Sequence, residues 1–419
     1  MDALTRRRFL LASGVAGAGV LAAGAGAWGL ADLLQTAGAP APAGADRKLR
    51  TLVLVTLYGG NDGLNTVVPY ADPAYHALRP ELAYDAEQAL HLDGVLGLNP
   101  MLRGLKRLWD DKRLAIVLGV GYPKPDRSHF RSMDIWQTAS PATPVHTGWI
   151  GRWLDGTNAT PGTAVSFEPV LPPVLAGGTH AGACVSMAGI GLPPGIGTDL
   201  VARLGAPQAD EPALQREAAA GYTELLRVDK LVRGALRSAT PTGVGDLPDL
   251  PATGTGGAAT LSGQLELVAR CVEAGVPTRV YSVSLGGFDT HAQEIAGHER
   301  LMKQLDAALT GFVDRMARSA AGRQVVVAVY SEFGRRVRAN GSDGTDHGTA
   351  GPVLVVGPRV NGGFYGEQPS LAKLDHDDLQ ATVDFRTVYG TLLASVLDAE
   401  PERYLDGFRV TPMRFLPAG

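Results

Sequence analysis

Two valine-rich runs near the end of the chain, VVVAVYSEFG from Val325 and GPVLVVGP from Gly351, restrict the fold more than any other feature. Neither run alternates apolar with polar residues. Continuous apolar runs of this length read as strands covered on both faces, the pattern of a parallel sheet with helices above and below. Between them RRVRANGSDG reads as a polar loop, followed by TDHGTA. In such sheets ligands bind beyond the carboxyl ends of the strands. Glu332 lies just past the first run, and Asp346 and His347 just before the second. A carboxylate and an imidazole brought to one sheet edge could hold a metal.

Other segments repeat this arrangement. RTLVLVTLY, from Arg50 to Tyr58, is a strand that runs into GGNDGLN, where glycines allow a sharp turn and Asp62 projects; Asn-Asp-Gly also reads simply as a turn. RLAIVLGV, from Arg113 to Val120, empties into GYPKPDRSHFRSMDIWQTA. Pro123 and Pro125 exclude helix there, and Asp126 or Ser128 could cap a helix over His129 to Thr138. Ser128 is therefore a nucleophile, a metal ligand or only a cap, and His129 either a core histidine or a substrate contact. TRVYSVSL, from Thr278 to Leu285, ends in GGFDTHAQE, which places Asp289 and His291 together.

Helices are expected over Met101 to Asp111, Glu211 to Arg237, Ser262 to Glu273, Gly297 to Ser319, and from a cap at Asp384 to about Leu397. Tyr75 to Asp93 reads as irregular, and Thr143 to Ile196 as substrate-side loops and short strands. Alternation of helix and strand argues for a doubly wound, mostly parallel α/β sheet with helices on both faces.

Composition excludes several classes. A formal net charge of -4 with no long basic run gives nucleic acid nothing to bind. Two cysteines, Cys184 and Cys271, cannot form a cysteine-rich zinc site. The N-terminal Thr5-Arg6-Arg7-Arg8-Phe9-Leu10-Leu11, a small-residue apolar stretch from Ala12 to Leu33, and the Ala/Pro/Gly segment Thr36 to Ala45 together resemble a twin-arginine export signal. That resemblance implies delivery of a folded protein by the twin-arginine machinery to the periplasm, the cell surface or the exterior. The glycine-rich, weakly hydrophobic core disfavours a stable membrane span after signal removal. The expected organisation is signal and linker over 1–45 and a single α/β domain over 46–419, with a flexible Pro/Gly/Thr-rich insertion at 238–259.

The candidate constellation is Asp62, Ser128, Asp289, His291, Glu332, Asp346 and His347. Carboxylates mixed with histidines suit a divalent ion such as zinc or manganese better than calcium. The series GGNDGLN, PDRSHF, GGFDTH and SEFGRR…GTDHGTAGPVLVVG, together with the N-terminal signal, resembles the bacterial exported family known as domain of unknown function 1501. That family is similar to the alkaline phosphatase and arylsulfatase superfamily. The resemblance implies an alkaline-phosphatase-like fold, a two-metal site at the carboxyl edge, and a hydroxyl nucleophile that attacks phosphorus or sulfur.

Carried over by position, Asp62 resembles the first-strand metal ligand and Ser128 the nucleophile. Asp289 and His291 resemble the pair of one metal site. Glu332 becomes a carboxylate ligand with Phe333 where a histidine is expected, and His347 the late histidine; alternatively Asp346 and His347 form the Asp-His pair themselves. Arg127, Arg131 or Arg335 could steady an anionic group, although Arg335, Arg336 and Arg338 read first as a solvated loop face. The leading reading is a metal-dependent hydrolase of small-molecule or polymer phosphate or sulfate esters, with Ser128 or a water as nucleophile. The alternatives are a non-catalytic envelope binding protein that keeps this fold, and a different reaction on a single metal, such as phosphotransfer or carboxylic ester hydrolysis.

Overall fold

The computed structural model describes residues 50–157, 159–168, 170–185, 203, 206 and 260–417. The expected export signal and linker, the helix over 211–237 and the insertion over 238–259 lie outside the described residues. In chain order the main strands are β1 (Thr51–Leu57), β2 (Leu114–Gly121), β3 (Ala164–Ser166), β4 (Ala183–Cys184), β5 (Val280–Leu285), β6 (Val325–Ser331), β7 (Arg335–Ala339), β8 (Thr345–His347), β9 (Gly351–Val356), β10 (Gly363–Tyr365) and β11 (Val383–Asp384). The main helices are α1 (Gly63–Thr66), α2 (Arg103–Asp110), α3 (His129–Thr138), α4 (Trp149–Thr157), α5 (Leu261–Glu273), α6 (Glu294–Met316) and α7 (Phe385–Val396).

The central sheet has the order β10-β2-β9-β6-β1-β5-β3-β4, with β11 also paired to β2. β1 lies at its middle, parallel to β5 on one side and to β6 on the other. Alternate β1 side chains serve opposite layers. Val53, Val55 and Leu57 join one core with residues of α2, α5 and α6. Leu52 and Leu54 join the other with residues of α3, α4 and α7. Covering both faces removes the need for polar alternation, which is why these strands read as continuous apolar runs.

Helix spacing and capping explain the covering layers. α6 buries Leu301, Leu305, Leu309, Phe312 and Met316 at three- and four-residue intervals, one apolar stripe on a long helix. Thr260 caps α5 by accepting the Gly263 amide at 3.0 Å, and Asp384 caps α7 by accepting the Arg386 amide at 2.9 Å. Among the described residues no helix is long and apolar enough to cross a membrane. Cys184 and Cys271 are both free.

Two expectations are corrected. The valine run of β9 is not a parallel strand: it runs antiparallel to both β2 and β6. The reversal places the start of β9, rather than its end, at the carboxyl edge of its neighbours, so the residues that precede it reach that edge. The segment read as a polar loop is also ordered, since β7 and β8 pair as an antiparallel hairpin. Val337 of that hairpin is buried with Leu64, Val68, Tyr75 and Ala350 in a third apolar cluster, which anchors it to the sheet.

A buried carboxyl group at this end of the sheet makes stability depend on pH. Glu168 is 2% exposed, and accepts the Ser282 hydroxyl at 3.1 Å and the Tyr58 phenol at 3.3 Å. Burial pushes its carboxyl up from about 4.5 to about 6 despite those bonds. Because the folded value is the higher, the unfolded chain gives up its proton first as pH rises. Stability present below about pH 4.5 is therefore lost as pH climbs through about 6, by roughly 2 kcal/mol. Glu168→Gln is expected to be more stable than the parent by about that amount at pH 8 and equal to it below pH 4, as read by urea unfolding at both values.

Candidate metal centre

The turn after β1 sets the site. Gly59 and Gly60 adopt φ of +117° and +75°, and a Cβ on Gly60 would lie 2.2 Å from the Phe333 ring. This turn brings the Gly59 amide within 2.9 Å of Glu332 Oε1, just beyond β6. From β5 the chain supplies Asp289 and His291, from β8 His347, and from the start of α3 His129. Glu332 reaches this edge because it follows β6, parallel to β1, and His347 reaches it because it precedes β9, which runs antiparallel.

Four side chains converge. The Nε2 atoms of His291, His347 and His129 lie 3.0, 3.1 and 3.4 Å from Asp289 Oδ1. His291 Nε2 and His347 Nε2 are 3.0 Å apart. The candidate ligand atoms of His129, Asp289 and His347 all fall within 4.8 Å of one another.

The other ring nitrogen of each histidine faces an oxygen acceptor. His129 Nδ1 lies 2.9 Å from Glu332 Oε1, His291 Nδ1 3.3 Å from Asp346 Oδ1, and His347 Nδ1 2.8 Å from the Arg127 carbonyl oxygen. A carbonyl can only accept, so Nδ1 of His347 carries the hydrogen and its Nε2 presents a lone pair. The same assignment for the other two histidines sets an Nε2 lone pair of each beside Asp289 Oδ1. His129 Nε2 is buried and makes no hydrogen bond. Lone pairs facing each other repel unless a cation lies between them, and three imidazoles with a carboxylate fit zinc or another borderline divalent ion.

Charge around the centre is consistent with that occupant. Burial pushes the Asp289 carboxyl up, but the hydrogen bond and charge of Arg335, with the His347 ring alongside, outweigh it and hold the group at about 2. The hydrogen bond to Glu332 raises His129 above the ordinary imidazole range in spite of burial. Burial also pushes Asp346 up, but Asn340 and His291 bring its carboxyl below the usual value. The Glu332 and Asp346 carboxyl groups thus stand behind the histidines and orient their rings. Glu332→Gln is expected to weaken metal binding by about 10- to 100-fold in chelator competition while the circular dichroism spectrum is unchanged.

The sequence candidates fall into distinct places. Asp289, His291 and His347 meet, and His129, taken as a core residue or a substrate contact, joins them. Glu332 and Asp346 lie one step behind. Glu332 Oε1 accepts from Gly59 and His129, and Oε2 from the Ser331 hydroxyl. Asp62 lies apart from the cluster. It is fully buried, with Oδ1 capping the Leu64 amide and Oδ2 in a 2.6 Å ion pair with Arg79. Arg79 came from a stretch read as irregular, in which nothing marked it as a partner.

Ser128 is exposed at the start of α3, and its hydroxyl makes no hydrogen bond among the described residues. Phe333 packs its ring 4.9 Å from both His129 and His347, so an apolar wall stands where a nitrogen was expected.

Arg335 is a clear correction to the solvated face expected of it. It is 1% exposed and donates to the carbonyl oxygens of Gly59, Gly60, Phe288 and Thr345 and to Asp289 Oδ1. Arg336 is half-buried and Arg338 exposed. Arg131 pairs with Asp134 on its own helix. Arg127, whose carbonyl holds His347, pairs its guanidinium with buried Asp378.

Fold and site together define a doubly wound, mostly parallel α/β protein with a three-histidine, one-aspartate centre at the carboxyl edge of its sheet. Residues 246–409 match the model of the family described as protein of unknown function, DUF1501. The matched span contains GGFDTH, SEFGRR and GTDHGTAGPVLVVG, whereas GGNDGLN and PDRSHF lie outside it. No curated protein matches the chain.

Similar solved structures include a protein in the alkaline phosphatase superfamily from Vibrio parahaemolyticus, 10% identical over 81% of this chain and 70% of that one, with a TM-score of 0.35. The lipoteichoic acid synthase LtaP from Listeria monocytogenes is 10% identical over 80% of this chain and 74% of its own, with a TM-score of 0.33. The phosphonate monoester hydrolase of Agrobacterium radiobacter is 10% identical over 86% and 78%, with a TM-score of 0.35. Likenesses at this level say nothing about chemistry.

Proposed function

We propose that this chain is an exported metal-dependent hydrolase of phosphate or sulfate esters, built on one divalent ion, zinc or manganese, held by His129, Asp289, His291 and His347. The observation that carries this reading is the convergence of three Nε2 atoms on Asp289 Oδ1 while each Nδ1 faces an acceptor. A divalent ion bound there supplies a Lewis acid for the anionic oxygens of the ester and eases ionisation of a nearby hydroxyl.

The protein's own groups supply the rest. Arg335 fixes Asp289, and Phe333 shields one side of the centre from water. Ser128 is the assigned nucleophile: its hydroxyl is unbonded, it immediately precedes a cluster histidine, and the N-terminus of α3 favours an alkoxide or an anion. Arg127 is the arginine at the centre that keeps substantial solvent exposure, at 42% of its side chain, so it is assigned to the anionic group. With Asp62 committed to Arg79 and Phe333 in place of a nitrogen, the reading is of one ion rather than two.

Turnover of an aryl phosphate and an aryl sulfate tests it. Metal-loaded protein is expected to hydrolyse at least one of them, and Ser128→Ala to lose that activity with its metal content unchanged. Full activity in Ser128→Ala would transfer attack to water. No turnover by loaded protein on a broad ester panel would favour a binding protein.

A further inference from the structure

A cavity of about 400 Å³ opens beside the metal centre, and Phe333 lines it as well as packing on His129 and His347. Arg127 joins the two spaces, since its carbonyl oxygen holds His347 while its guanidinium meets Asp378 at the cavity wall. The volume is in the range of small-ligand pockets and accepts a group of about one or two rings.

The lining selects among ligand classes. Lys124, Arg127, Arg336 and Arg386 stand against Asp126, Asp375, Asp378 and Asp384, so the charges around the cavity balance and a second anionic group gains no net attraction. A purely aliphatic group is disfavoured too. Asp378 is 1% exposed, and neither of its oxygens receives a well-formed hydrogen bond, although Arg127 pairs with it and Arg336 Nε lies 3.6 Å away. Apolar filling would instead cover exposed Lys124, Asp375 and Gln380 without offering them a partner. Neither does the cavity call for a cation, because two arginines already flank Asp378, and Arg386 pairs with Asp384 at 2.7 Å.

Donors and acceptors without charge remain. Lys124 and Gln380 make no hydrogen bond among the described residues and can donate, exposed Asp375 can accept, and Phe333, Leu379 and Tyr122 offer apolar surface. We propose that the cavity receives an uncharged, hydroxyl-rich group, a sugar or polyol, which forms the non-reacting part of the ester. This rests on the hydrolase reading for its place in catalysis, but binding of the group does not require turnover.

Isothermal titration of metal-loaded and chelator-treated protein with methyl glucoside, cellobiose and sorbitol tests the binding. At least one is expected to bind saturably in both forms. Ala381 is exposed and lines the cavity, so Ala381→Trp fills the space without touching the core or the centre; it should weaken that binding at least about tenfold, while Ala381→Ser should not. Ala381→Trp should likewise raise KM for glucose 1-phosphate at least about tenfold and leave phenyl phosphate unaffected. Preferential binding of putrescine or succinate, or no binding by any neutral probe, overturns the proposal. Binding of a neutral probe without hydrolysis of any ester would sustain it while removing the hydrolase reading.

Discussion

His347→Ala is expected to empty the centre of metal and reduce ester turnover to background in the same protein. The residue contributes one of the three converging Nε2 atoms, and its Nδ1 contact with the Arg127 carbonyl ties the start of α3 to β8. Its side chain is partly exposed, so truncation removes a ligand without opening the core. Melting temperature measured with excess chelator should therefore match that of the chelated parent. His91→Ala is the control: that imidazole is exposed, bonds the Ala86 carbonyl and lies outside the centre, so metal content and turnover should both persist.

Arg335→Met should act on the fold itself. Methionine fills much of the space but takes the guanidinium away from the carbonyl oxygens of Gly59, Gly60, Phe288 and Thr345, of which Phe288 keeps the Thr290 amide, and from the half-exposed Asp289 carboxylate. Leaving a buried carbonyl oxygen without a donor costs about 1–3 kcal/mol, so Arg335→Met is expected to lose about 3 kcal/mol or more, a large share of the stability of a domain. Arg335→Lys should recover only part of this, because a single ammonium cannot span acceptors on the β1 turn, the β5 loop and β8 together. Urea unfolding of the two variants reads the order directly. A loss below about 1 kcal/mol for Arg335→Met would show that the network contributes little.

The parts of this protein legible in its sequence are those in which side-chain pattern reports burial. β1, β5 and β6 show as valine-rich runs because both faces are covered, and α6 shows through its Leu301, Leu305, Leu309 stripe. Strand direction is different. A valine run reads the same from either end, so nothing in GPVLVVGP revealed that β9 runs against its neighbours, and only pairing partners decide it.

The site divides in the same way. His291 and Asp289 stand two residues apart on one strand end and could be paired by inspection. His129 could not be assigned, since its second contact, Glu332, lies 203 positions away. Arg335 misled for a related reason. Three arginines in RRVR suggest a wetted face, but alternation along a half-buried hairpin turns the first of them inward and leaves Arg338 outside.

Metal analysis of the full chain, purified without chelator, is the most direct test of the single centre. One zinc or manganese ion per chain is expected in the parent and none in His347→Ala. Two ions per chain in the parent, or a folded parent that binds none when zinc and manganese are supplied, would contradict it.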